Sequence, residues 1–410
     1  MFLKDVSFFL LILHVTLNQV FSYRLSRIGK QQDIQHASNQ RPKAGLHLSD
    51  PDVPIASPPR PISLDLLVAV DTSSYRYHGD DTEHYIMEML NVAASLWQST
   101  SLNAVVRLRV AKIHIVKENL VDLELTDHAN LSLRRFCQWQ RSYFMAKDGG
   151  KAQYDAALLI TRIDIQIGGN YDATGIAYNN GVCDSQYQCA LCEDKSPMVL
   201  SHTIAHEIGH LLGMRHDGDH NPCLDRVNIM SGYATTGHQT FIWSQCSQQE
   251  LAEFLRSERS SCLHDSITTS WSPGVAMDTV AMPGRIYDAD YQCQMIYGAP
   301  AKACKRQNRQ QICGMLKCQR DSSGTECVTD GRPALQGTSC GSIKWCSRGW
   351  CVQRAAQKQH PEVSVEDATA VPNGQANKQT DRLHCSECST FPYMDTPAPT
   401  IESDQIPVEL

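Results

Sequence analysis

The stretch from His206 to His216 leaves this chain very few ways to fold. It reads His206-Glu207-Ile208-Gly209-His210-Leu211-Leu212-Gly213-Met214-Arg215-His216. Leu200 to Leu212 is expected to be a helix. Two histidines at i and i+4 then share one helix face, where both imidazoles can reach a single metal ion. Glu207 stands beside the first of them, placed to hold a water on that ion. Gly213 can adopt a positive φ and end the helix abruptly. The chain can then double back and deliver His216 as a third ligand.

Three neutral imidazoles leave a zinc ion one open position, as a catalytic rather than a structural site requires. Asn228-Ile229-Met230-Ser231-Gly232 follows. Its distance suits a Met-turn, the tight turn whose methionine, here Met230, underlies the metal in metzincins. The whole string is far more specific than its five-residue core. His202 lies four residues before His206 on the same face, but the ligand set is already complete, so a packing role is expected for it. The chemistry implied is peptide-bond hydrolysis by a water held on zinc, with Glu207 as general base.

Composition narrows the setting. A hydrophobic share of 42% and a charged share of 20% allow a sizeable core. Net charge is only -7, with no Lys/Arg block, so nucleic acid is not an expected partner. Residues 1–22 read as a signal peptide, because the apolar run Val6 to Leu17 is too short to span a bilayer. No later run could cross a membrane. A secreted, extracellular protein is expected, acting on protein substrates outside the cell. Of the 17 cysteines, none precedes Cys137, seven lie from Cys137 to Cys262, eight from Cys293 to Cys351, and two are Cys385 and Cys388. In an oxidising compartment this reads as a disulfide framework. Asn130-Leu131-Ser132 is the one glycosylation sequon, with Asn130 as acceptor.

Periodicity sets the expected domains. Residues 23–61 are polar and read as a short pro-segment or disordered leader. From 62 to 268, strands are expected at Leu64 to Val70, Val106 to Val116, Ala156 to Ile165 and Thr174 to Val182. Helices are expected behind the candidate caps Asp80, Asp81 and Thr82, with Ile86, Leu90, Ala93, Ala94 and Trp97 as apolar positions, and over Asn130 to Phe144. This alternation argues for an α/β layer architecture. Residues 271–354 form a small cysteine-rich module that needs its disulfides, having little core of its own. Residues 355–410 read as a disordered tail.

Asp217, directly after the third histidine, marks the reprolysin (adamalysin) branch of the metzincins, which the chain resembles from about Ile62 to Asp265. The run Pro283-Gly284-Arg285-Ile286-Tyr287-Asp288 through Cys293 resembles the disintegrin-like module of the ADAMTS family. So do Gly337 to Gly341 and Lys344 to Val352. The eight cysteines from Cys293 to Cys351 fit that module. No Arg-Gly-Asp occurs, so integrin binding has no support.

The resemblance implies a metzincin catalytic domain, a mixed twisted sheet with an active-site helix, followed by the disintegrin-like module. It implies a zinc metalloendopeptidase acting on extracellular or host proteins. It also implies a structural calcium at Asp65, Asp155, the Cys262 carbonyl and Asp265, oxygen ligands of the kind calcium takes. Family pairing suggests Cys137–Cys189, Cys183–Cys262 and Cys223–Cys246. A fourth family bridge is missing at both ends, where Gln166 and Tyr171 stand. Cys192 is thereby left over, with Cys385 or Cys388 as candidate partners. The leader is shorter than a family prodomain and carries no cysteine to mask zinc. No thrombospondin repeat follows Val352. The competing class is an idle secreted binding protein that uses the disintegrin-like module, which intact His206, Glu207, His210 and His216 disfavour.

Overall fold

Strand β1 (Ile62–Val70) is an almost unbroken apolar run, and such a run is stable where both faces of its sheet are covered. Leu64, Leu66, Val68 and Val70 enter one core, while Leu67 and Ala69 enter another. That is the period-two split a pleated strand imposes. The computed structural model describes residues 61–118, 123–145, 153–264, 282–353 (apart from 306, 310 and 322–325) and 407–409. The expected signal peptide, nearly all of the leader, Asp265, Cys385 and Cys388 lie outside the described residues.

After β1 come α1 (Thr72–His78), α2 (Thr82–Trp97), β2 (Val106–Ile115) and α3 (Ala129–Gln140). These are followed by β3 (Ala156–Thr161), β4 (Gly175–Tyr178), β5 (Cys189–Glu193), α4 (Pro197–Leu211) and α5 (Gln245–Arg256). β1 pairs in parallel with β2 and β3, and β3 in parallel with β5. β4 runs antiparallel to β5. Helices α2 and α4 cover one face of this mixed sheet and α3 covers the other. The α/β architecture is therefore a three-layer one.

Several elements differ from the sequence reading. Strand β5 and helices α1 and α5 were not expected. β5 reads Cys-Ala-Leu-Cys-Glu, with cysteines where β-branched residues would have signalled a strand. α1 is short and polar but well capped, the Ser74 amide donating to Asp71 Oδ1 at 3.0 Å. Of the caps expected for α2, Asp81 holds the N-cap position without a side-chain capping bond, and Thr82 is the first helical residue, its Oγ1 donating to the Gly79 carbonyl at 2.5 Å.

The cysteine-rich module contains α6 (Ala289–Tyr297), β6 (Lys302–Ala303), β7 (Cys318–Gln319), β8 (Ser339–Gly341), β9 (Lys344–Ser347) and β10 (Trp350–Gln353). Four bridges staple it, of which Cys293–Cys318, Cys313–Cys346 and Cys340–Cys351 run through its small core and Cys304–Cys327 does not. The module packs on the first part of the chain. The Gly237 amide donates to the Gly314 carbonyl at 2.8 Å, and the Tyr287 hydroxyl donates to Asp81 Oδ2 at 3.2 Å. The tail is not wholly without structure: β11 (Pro407–Glu409) pairs antiparallel with β4 and so extends the sheet.

Candidate active site

Helix α4 is buried along its whole length, so it carries polar side chains into the interior. Ser196 caps its first turn by accepting from the Val199 amide, and Pro197 takes the first helical position, where a missing N–H leaves nothing unpaired. Gly213 ends it with a φ of +87°, and a Cβ there would stand 2.6 Å from Asn180 Oδ1. The returning loop is held by α5. Arg215 donates through its amide, Nε and Nη2 to the Glu250 carboxylate at 2.7, 3.1 and 2.8 Å. Cys223–Cys246 ties the loop to the same helix.

This geometry brings the three histidines together. Their Nε2 atoms are 2.9 Å (His206 to His210), 3.1 Å (His210 to His216) and 3.1 Å (His206 to His216) apart. His206 Nδ1 donates to the Ile229 carbonyl at 2.8 Å, and His210 Nδ1 donates to the Met214 carbonyl at 2.7 Å. Those bonds place the proton on Nδ1 and leave the Nε2 lone pairs facing one another. Lone pairs this close repel unless a cation lies among them. Ligands at about 2.0–2.1 Å from one zinc ion are separated by roughly 3 Å, so the donor set fits zinc. Burial lowers the pKa of all three imidazoles, keeping them neutral as ligands must be.

Glu207 is fully buried, and neither carboxylate oxygen has a hydrogen-bond partner. Burial pushes its carboxyl well above the usual range, a shift that a dication beside it would oppose. The carboxylate lies against β4: a Cβ on Gly175 would stand 2.4 Å from Glu207 Oε1. Met230 is buried beneath the helix, its Sδ 2.6 Å from where a Gly209 Cβ would be. The Asp217 amide donates to the Met230 carbonyl at 2.8 Å, and Asp217 Oδ1 accepts from Ser244 Oγ at 2.5 Å. Asp217 thus locks the third-histidine loop to the turn under the metal. Gly175 and Gly209 were missed in the sequence, because only the partner brought by folding shows why each must be small.

His202 is buried but does not join the ligand cluster. Burial, then the charge of Arg332, lowers its pKa to about 3, so it is neutral. Asn130 is exposed in the first turn of α3.

Of the expected calcium ligands, Asp265 lies outside the described residues. Asp65 and Asp155 do converge, the Asp65 amide donating to Asp155 Oδ2 at 2.8 Å. Both Asp65 oxygens, however, accept from Arg109, at 2.6 Å from Nε and 2.7 Å from Nη2. Arg109 thus supplies positive charge to this carboxylate pair. Arg109→Met should cost about 2 kcal/mol, less than a fully buried pair because the guanidinium is half exposed. That corresponds to about 4–8 °C in thermal unfolding. An unchanged melting temperature in that variant would mean that the pair contributes nothing measurable.

The structure contains the bridges Cys137–Cys189, Cys183–Cys262 and Cys223–Cys246. Among the described residues Cys192 has no disulfide partner, and it is fully buried in β5. Where the fourth family bridge would stand, Gln166 hydrogen-bonds His128 and Tyr171 donates to Asp127 Oδ2 at 2.8 Å. Side-chain hydrogen bonds thus tie that loop to the segment ahead of α3.

Comparison with known proteins follows the same division of the chain. Residues 63–266 match the family described as Reprolysin (M12B) family zinc metalloprotease. Residues 283–352 match ADAMTS cysteine-rich domain 2, over the stretch expected to be a disintegrin-like module. Among similar proteins, "A disintegrin and metalloproteinase with thrombospondin motifs 19" of Mus musculus is 36% identical over 314 residues, covering 73% of this chain and 26% of the relative. The protein of the same series numbered 18, also of Mus musculus, is 37% identical over 71% of this chain and 24% of its own length. Number 6 of Homo sapiens is 37% identical over 70% and 27%. The chain thus spans about a quarter of the length of the relatives it matches.

Proposed function

Through residues 63–266 the chain belongs to the reprolysin (M12B) family of zinc metalloproteases, with an ADAMTS-type cysteine-rich module behind it, and on that premise we propose that it is a secreted endopeptidase that hydrolyses extracellular or host proteins. The observation that carries this reading is the convergence of three Nε2 atoms within 3.1 Å, with the unpaired carboxylate of Glu207 on the same helix.

His206, His210 and His216 would hold the ion. The chemistry supplied by zinc when bound is Lewis acidity, which lowers the pKa of water to roughly 7 and polarises the scissile carbonyl. Glu207 takes the proton from the attacking water and passes it to the leaving amine. Its oxygens can do so because no protein group engages them. Gly175 sets where that carboxylate stands, and the Met230 turn and Asp217 keep His216 in place. Edge strand β4 lies beside Glu207, and its pairing with Pro407–Glu409 supports an extended peptide as the ligand of that edge.

Seven disulfides among the described residues support an oxidising compartment, in line with the signal peptide read from residues 1–22. No helix of the described residues is long and apolar enough to cross a membrane. Exposed Asn130 is then open to glycosylation. The test is digestion of a denatured protein by the purified chain. Cleavage should stop with a zinc chelator and return with added zinc. Cleavage that ignores the chelator would sink the metalloprotease reading.

A further inference from the structure

Helix α4 packs against β4 and β5, and β4 carries the outer edge of that pair. Gly175 opens β4 and leaves no room for a Cβ between itself and the Glu207 carboxylate. The outer edge therefore leads straight to the general base. A strand edge presents N–H and C=O groups that any extended chain can take up. Here the chain itself takes them up. Pro407–Glu409 (β11) lies antiparallel on β4, with Pro407 opposite Tyr178, Val408 opposite Ala177 and Glu409 opposite Ile176. Residue by residue, the register advances toward Gly175 and Glu207.

The features of β11 suit a reversible occupant better than a permanent strand. It has three residues, whereas β3 and β5 inside the same sheet have six and five. It is the end strand of the sheet, paired on one side alone, and so short a ladder is only marginally stable. Its first residue is proline, which brings no N–H. Of the two amides that remain, alternation along the strand turns only one toward β4.

We propose that Pro407–Glu409 is a built-in competitive inhibitor: it holds the outer edge of β4, and an extended substrate reaches Glu207 along that edge only when the segment leaves. The inference rests on the endopeptidase reading. One edge offers one set of donors and acceptors, so the segment and the substrate exclude each other. Tethering within one chain gives the segment a local concentration on the order of 1 mM. A contact with a dissociation constant of roughly 0.1–1 mM then stays closed in half or more of the molecules.

The experiment compares the full chain with a double variant, Val408→Pro and Glu409→Pro, both loaded with zinc and acting on the same short peptide. The two prolines remove whichever amide faces β4. KM should fall by about 2- to 10-fold in the variant, with kcat unchanged, because saturating substrate displaces the segment in either chain. A synthetic peptide of residues 401–410 should inhibit the variant competitively. Hydrogen exchange at Ile176–Tyr178, followed without substrate, should quicken in the variant. Equal KM in the two chains, with no inhibition by the peptide, overturns the proposal; β11 is then a plain cover for the sheet edge, and the protease reading stands. Unchanged hydrogen exchange at Ile176–Tyr178 also overturns it, since the segment would not be holding that edge. No cleavage by either chain, zinc supplied, overturns both readings.

Discussion

Glu207→Gln is expected to lower kcat by roughly 10²- to 10⁴-fold, the range that a positioned general base contributes, without loss of fold or of metal. Gln keeps the volume of the side chain, so no cavity opens in the fully buried helix. It cannot take up a proton at neutral pH, and that is the one property the mechanism asks of residue 207. The neighbouring ligands are untouched: His206 and His210 keep their carbonyl partners at Ile229 and Met214. Zinc content, the melting temperature and kcat measured on one preparation separate these effects. A variant that retains full kcat with zinc bound would remove Glu207 from the mechanism.

The second large effect belongs to a residue that carries no functional group. Gly175→Ala places a Cβ 2.4 Å from Glu207 Oε1, 2.6 Å from Thr203 Cγ2 and 2.8 Å from Glu207 Cδ. These distances are too short for any pair of heavy atoms to accept, so the carboxylate or the strand must move. Strand β4 is held by β5 on one side, with Gly175 opposite Cys192. The carboxylate, which has no hydrogen bond to resist, is the part that yields. A displacement of about 1 Å at a reacting group costs on the order of 10²-fold in rate. The overpacking itself costs about 1–3 kcal/mol of stability. The expected result is a folded, zinc-loaded protein with kcat down by about that factor. Unchanged kcat would mean that Glu207 is not positioned against β4.

The zinc site was legible in the sequence because it is largely local. Helix periodicity places His206, Glu207 and His210, and Gly213 announces the reversal that brings His216. What the ligands need from elsewhere was not legible. The carbonyls of Ile229 and Met214, the clamp of Arg215 on Glu250 and the contact of Gly209 with Met230 all depend on folded partners. The charge partner of the expected calcium ligands was hidden for a related reason. Asp65 and Asp155 do meet, but Arg109 reaches Asp65 from a neighbouring strand, and that pairing is visible only in the sheet register. Strand β5 was hidden by cysteines, which read as bridge-formers before they read as strand residues. β11 lies in a stretch whose polar composition signals no core, and its three residues are ordered by the edge of β4 rather than by their own pattern.

Binding of one zinc ion by three imidazoles, and the need for that ion in peptide-bond hydrolysis, are checked by measuring bound metal and cleavage rate together. Purified chain should carry one equivalent of zinc, and stepwise chelation should remove metal and activity in proportion, with stoichiometric zinc restoring both. His216→Ala should lose both together. A chain that cleaves peptide bonds at full rate with its zinc removed, or that binds no zinc while remaining folded, would contradict the account.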